Sequence, residues 1–262
     1  MMNYIRLFWA YFRLGALNEL AYRVNFFVQA FQSLLTMGIA LGGLAIIFNQ
    51  TDTLAGWQPE EMVALVGVYT LIGGLISFMV QPSMQRFMED VRMGTLDFTI
   101  IKPEDAQFLI SVRHFAIYKL LDVLLGIGLL VTALVRLGAQ FSLWQALTFG
   151  VTLLAGATIV YSFFLMLATC AFWFVRTENI LVIFQSIYQA GRWPVTIYPV
   201  WLRAMLTFLV PVAFAVTVPT QALTGRLEGQ LLLGAIVLAV LFALGARWFW
   251  RFGLRHYSGA SA

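Results

Sequence analysis

Four polar side chains form one stripe in an apolar run near the N-terminus: Asn25, Gln29, Gln32 and Thr36, at relative positions 0, 4, 7 and 11. A second set, Glu178, Gln185, Gln189 and Arg192, follows 0, 7, 11 and 14. Each spacing puts its members on one helix face. Carboxamides, a hydroxyl and a guanidinium do no covalent chemistry in this pattern; they solvate something polar where water is scarce. Two uses compete. One is hydrogen-bonded glue between helices, worth roughly 0.6 kcal/mol per contact; the other is the lining of a polar route. Arg192 favours the route. Counted from a span start at 179, it lies about 20 Å into the hydrocarbon. An arginine there costs about 2.5–3.5 kcal/mol unless water, a partner or snorkelling relieves it. Gly191 and Pro194 beside it should break the helix. Lys119 and Asp122, three residues apart, fit a local ion pair.

Enzyme chemistry has little to stand on. The chain holds no GxxxxGK[ST] phosphate loop, no HExxH and no GxSxG. Cys170 is the one cysteine, so no internal disulfide forms, and His114 and His256 lack metal-ligand spacing. No catalytic residue and no metal site is expected.

The elements that must carry these stripes follow from composition. Of 262 residues, 61% are hydrophobic and 11% charged, against about 25% charged in soluble domains. The fold class expected is an all-α membrane protein, one domain over 1–262. Six spans are read at about 24–48, 60–80, 115–135, 144–174, 179–198 and 230–252, each near the ~20 residues that cross the hydrocarbon. Gly38 and Gly42 make a small-xxx-small surface in the first. Residues 2–22, rich in aromatic rings, with Arg6 and Arg13 on one face, suit a helix in the headgroup layer; Arg23 marks the entry to the first span. Arg13 also interrupts the apolar run 7–12 and no small-residue cleavage site follows, so no signal peptide is expected.

Six spans put both ends on one side. With that side cytoplasmic, twelve basic residues fall at or near it: Arg6, Arg13, Arg23, Arg86, Arg92, Lys102, Arg113, Lys119, Arg176, Arg247, Arg251 and Arg255. Three fall outside, Arg136, Arg203 and Arg226, which agrees with the positive-inside rule. The net charge of +4 therefore speaks for membrane orientation and not for nucleic acid. The outer loop 49–61 carries three acids and no base. After Tyr198, an apolar stretch interrupted by Pro199, Pro211 and Pro219 suits two short re-entrant helices within 199–228. The tail 258–262 is expected to be disordered.

The longest polar interruption is 81–103, QPSMQRFMEDVRMGTLDFTIIKP. Residues 84–91 can form a short helix capped by Ser83, with Glu89, Asp90 and Arg92 wet. Gly94 permits a left-handed stop, and 95–101 reads as an extended hook before Lys102 and Pro103. The residues alone fit a protein-docking element or a plain solvated loop.

Here the chain resembles a known family. Glu89…Arg92-Met93-Gly94-Thr95-Leu96 followed by Lys102-Pro103 is similar to the "E…GTL…P" element of type-2 ATP-binding-cassette (ABC) exporter permeases. Gly191-Arg192-Trp193-Pro194, then Pro199-Val200-Trp201-Leu202-Arg203, then Pro211, is similar to that family's later "G…P…P-x-W-L…P" run. The resemblance covers nearly the whole chain, and the intact GRxP variant looks most like a bacterial branch with paired permeases and one ATPase. It implies a permease without its own ATPase site, driven by a separate ABC ATPase that holds ATP and Mg. It implies that Arg86, Glu89, Asp90, Arg92, Gly94, Thr95 and Leu96 couple to that ATPase. It also implies that the first and fifth spans meet a second permease, the same or a related chain. Asn25, Gln29, Gln32, Thr36, Gln185, Gln189 and Arg192 would then line the translocation pathway or the dimer interface, in a bacterial inner membrane. Two rivals stay open: a non-transporting assembly protein, and an ion-coupled carrier, which calls for more buried carboxylates than Asp122 and an inverted repeat.

Overall fold

The computed structural model describes residues 2–21, 23–138, 142–174 and 178–257, without the side chains of Met2, Asn3, Leu20, Ala21, Arg23 and Glu178. The expectations for Tyr22, the Arg23 side chain, Arg176, the Glu178 side chain and the tail 258–262 lie outside these described residues.

Among them the chain is helical, with no strands. Helix α1 spans Met2–Ala21 and α2 spans Arg23–Phe48. Helix α3 runs unbroken over Pro59–Arg92, and the short α4 and α5 cover Asp97–Ile100 and Ala106–Ser111. Helices α6, Ile117–Arg136, and α7, Leu143–Phe172, follow. Helix α8 is Glu178–Tyr188, continued by a 3-10 turn over Gln189–Arg192. Helices α9, Val200–Leu209, and α10, Ala213–Leu223, meet at 79°, and α11 is Gly229–His256. Five helices, α2, α3, α6, α7 and α11, are long and apolar enough to cross a membrane; joining α9 to α10 would make a sixth.

Two expected boundaries are corrected. The second span does not stop at 80, because no residue between Gly74 and Pro82 breaks the helix. The helix passes through a π turn over Ile76–Val80, and Pro82 sits in the first turn of the segment that follows, where its missing N–H is harmless. The fifth span does not reach 198. Its α-helix ends at Tyr188, and Trp193 turns to an extended backbone ahead of Pro194, as the pre-proline clash demands. With its 3-10 turn this piece is about 25 Å long.

Glycines set the closest helix approach. A Cβ on Gly126 would lie 2.6 Å from the Leu71 backbone nitrogen, and one on Gly74 would lie 2.8 Å from that of Val123. Helices α3 and α6 therefore pack backbone to backbone. Gly156 does the same for α7 against α10, 2.8 Å from the Phe214 carbonyl oxygen. By contrast, among the described residues nothing beyond the helix's own adjacent turns comes within 4 Å of such a Cβ at Gly38 or Gly42. The close approach expected there does not occur within the chain, since α2 stands at the edge with Phe27, Phe31 and Ile39 exposed.

The two ends of the bundle are closed differently. At the head, Arg226 pairs with buried Glu61 at 2.6 Å, donates to the Gly56 carbonyl at 2.7 Å and lies over Trp57. One of the three acids of the 49–61 loop is thus matched. At the foot, α1 packs Phe8 and Phe12 against Phe115, with Phe12 also meeting Phe78 beside the π turn of α3. Ile5, Trp9 and Leu14 on α1 remain exposed, a face suited to a headgroup layer.

Candidate functional site

Two places gather the polar residues that the sequence singles out. The first is the foot of α3. Asp90 is 1% exposed and holds a knot: Arg113 Nη1 lies 2.5 Å from Oδ2, Arg86 Nε 3.2 Å from Oδ1, and the Thr95 hydroxyl donates to Oδ1 at 2.9 Å. Its backbone carbonyl accepts from the N–H groups of Thr95 and Leu96, closing the helix through Gly94 at φ 69°. Gly94 thus adopts the left-handed conformation that its lack of a Cβ permits.

This corrects three expectations. Asp90 is not wet, because two guanidinium groups and a hydroxyl enclose it. Ser83 does not cap a helix start, since the helix is already running. Its hydroxyl instead donates to the His114 carbonyl at 3.0 Å and accepts from the His114 N–H at 3.2 Å. Residues 95–101 are not an extended hook; Leu96 is fully buried and α4 coils directly behind it. Of the residues assigned to coupling, Asp90, Thr95, Gly94 and Leu96 shape the tip from within, Arg86 braces Asp90 and Glu89, and Glu89 and Arg92 face outward. The tip also presents three side chains that the sequence reading passed over: Met93, Phe98 and Ile101, at 65%, 69% and 77% exposed. Large apolar side chains at successive turns of a polar segment were the available signal.

Behind the tip, α5 starts at Asp105, whose carboxylate accepts from the Phe108 N–H at 3.1 Å. Arg247 of α11 grips the same carboxylate through both terminal nitrogens, at 3.1 and 2.5 Å, and reaches the Gln107 oxygen at 2.6 Å. That guanidinium holds the Asp105 carboxyl below the usual carboxylate range.

The second place is a cavity of about 680 Å³ between α2, α3, α6 and α8. Gln32, Thr36, Gln185, Gln189 and Arg192 all line it. The two polar stripes, more than a hundred residues apart in the chain, therefore share one space. Asn25 and Gln29 do not belong to it: Asn25 lines a separate hollow of about 520 Å³ with Arg86, Arg113 and His114. Lys119 and Asp122 pair at 3.0 Å as expected and close the cavity's foot end. At its other end Arg192 Nε donates to the Tyr69 hydroxyl at 3.3 Å, with the guanidinium 5.5 Å from that ring's centroid. Gln185 also donates to Gln81, one turn above the foot segment.

Tyr69 and Tyr188 escaped the sequence reading. Their rings stack at 5.0 Å, and the Tyr188 hydroxyl donates to the Tyr69 carbonyl at 3.0 Å. Tyr188 lies three residues past Gln185 and four before Arg192, on the stripe itself, so helical spacing carried that signal. Tyr69 had none, because only the fold brings α3 against α8.

A sequence-family profile described as "ABC-2 family transporter protein" matches residues 34–261, a span that takes in the tip and all of the cavity lining except Gln32 and Ser33. The chain belongs to the ABC-2 transporter family. It is a permease component of an ABC transporter and a multi-pass membrane protein, whose family implies an ATPase partner. No curated protein and no solved structure matches the chain significantly.

Proposed function

We propose that this ABC-2 permease is the membrane-spanning subunit of an ATP-driven exporter in a bacterial inner membrane. One observation carries the reading: α3 is a single unbroken helix that lines the cavity with Tyr69 and Gly73 and ends in the knotted tip. A push on Met93, Phe98 and Ile101 is thereby delivered to the cavity wall along one continuous helix. An ABC ATPase holding ATP and Mg supplies the push, and its closure biases the cavity between two accessible states. The foot faces the cytoplasm with both termini, and α9 with α10 forms a re-entrant pair at the outer face. The uncovered glycine face of α2 meets a second permease, the same chain or a related one.

Replacing Met93, Phe98 and Ile101 together by serine tests this. The expected outcome is loss of co-purification with the partner ABC ATPase, at unchanged membrane insertion and unchanged thermal stability. An ATPase that still binds at full strength overturns the assignment.

A further inference from the structure

The cavity's charges do not balance, and the imbalance names a ligand chemistry. At the foot end the Lys119 ammonium is already met by Asp122 at 3.0 Å. At the other end Arg192 has no carboxylate within ion-pair distance among the described residues; its contacts are the Tyr69 hydroxyl and ring. Only Nε is engaged there, which leaves both terminal nitrogens, the edge that binds an oxyanion with two parallel hydrogen bonds. A guanidinium in this setting is one net positive charge in a space walled by apolar helices.

The walls specify the rest of the ligand. Phe184, Tyr188 and Tyr69 form one aromatic column in the wall: Phe184 stacks on Tyr188 at 6.3 Å, and Tyr188 on Tyr69 at 5.0 Å, with Phe184 and Tyr188 largely buried. The ring edges that reach the cavity give this wall an apolar lining. From the level of Tyr69 to that of Gly74, beside Asp122, is about 7–8 Å of helix rise, so a ring system fits between the two polar ends. The volume of about 680 Å³ lies inside the ~300–1,000 Å³ range of small-molecule sites. It excludes a folded polypeptide.

We infer that the cavity binds amphipathic organic anions, with a carboxylate, sulfonate or phosphate group on Arg192 and an apolar body along the wall that Phe184, Tyr188 and Tyr69 line. This rests on the cavity being the transported solute's route, and it adds the class of solute.

The test uses the full chain in phosphatidylcholine nanodiscs and three matched probes: 1-pyrenebutyrate, its methyl ester, and a pyrenebutyl trimethylammonium. Energy transfer from tryptophan to pyrene reads binding, with partition into empty nanodiscs subtracted. The wild-type chain should bind the anion about 10-fold or more tighter than the cation, as a charge-assisted bidentate contact provides. Arg192→Gln should reduce that preference to under about 2-fold while leaving the ester's affinity unchanged, and Arg192→Lys should keep most of it. Tyr69→Leu should weaken all three probes. Equal binding of the three by the wild type, a preference for the cation, or an anion preference that survives Arg192→Gln overturns the inference. If the Arg192-dependent preference appears but pyrenebutyrate neither stimulates ATP hydrolysis by the assembled transporter nor enters its vesicles, the ligand assignment stands and the route reading falls.

Discussion

The foot knot and the cavity both hold ionised side chains, and they treat them in opposite ways. Around Asp90 each charge is answered: two guanidinium groups and a hydroxyl enclose the carboxylate, and the residue is 1% exposed. Around Arg192 the charge is held by a phenol and a ring face, with the business edge left over. A fully satisfied network rigidifies, because losing any member strands the others. An incompletely satisfied one is tolerated where something else completes it. The difference teaches that the tip is built to keep its shape under load, and the cavity to receive a guest.

The comparison breaks most visibly if the knot proves dispensable. Asp90→Ala strands Arg113 and Arg86, and it should destabilise the purified chain by about 3 kcal/mol. That is the low end for a broken buried pair, because both arginines stay partly solvated. Thermal unfolding in detergent measures it, and an unshifted transition would show that the knot carries no load.

Arg192→Gln should do the reverse. Its stability should stay within about 0.5 kcal/mol of wild type, since no buried partner is left unpaired, while solute-stimulated ATP hydrolysis by the assembled transporter drops. A loss of stability comparable to that of Asp90→Ala would make Arg192 another structural knot and erase the contrast.

The smallest effect concerns pH at the Asp105–Arg247 clamp. The carboxyl's folded pKa lies below its usual value, so its contribution to stability is complete above the unfolded pKa of about 3.9. It is lost as the pH falls through the still lower folded value. Between pH 8 and pH 5, Asp105→Asn and the wild type should therefore show parallel stability profiles. They should converge only below about pH 4. A divergence that begins near neutrality would place another titrating group in control of the foot.

Much of this was legible in the chain. The polar stripes, the Lys119–Asp122 pair, the Gly94 stop and the helix break before Pro194 all follow from local spacing and backbone preference, and these act within a turn or two. The length of α3 was not legible, because a polar segment after an apolar span reads as a loop. Only the packing of Met84, Phe87 and Met88 into the core keeps the helix going to Arg92. Nor was the tip's apolar face, since Met93, Phe98 and Ile101 are set outward by Leu96 turning in.

Sequence by itself determined that this is a helical membrane protein of the ABC-2 kind and which residues are polar where polarity is costly. Hydropathy and helical period are properties of neighbours along the chain. Tertiary structure alone decided which of those polar residues meet. It put Gln32 and Thr36 across from Gln189 and Arg192, buried Asp90 instead of wetting it, and set Tyr69 under a guanidinium. The reason is that pairing across helices depends on how closely glycines such as Gly74 and Gly126 let backbones approach, and no periodicity within one helix encodes the partner on another.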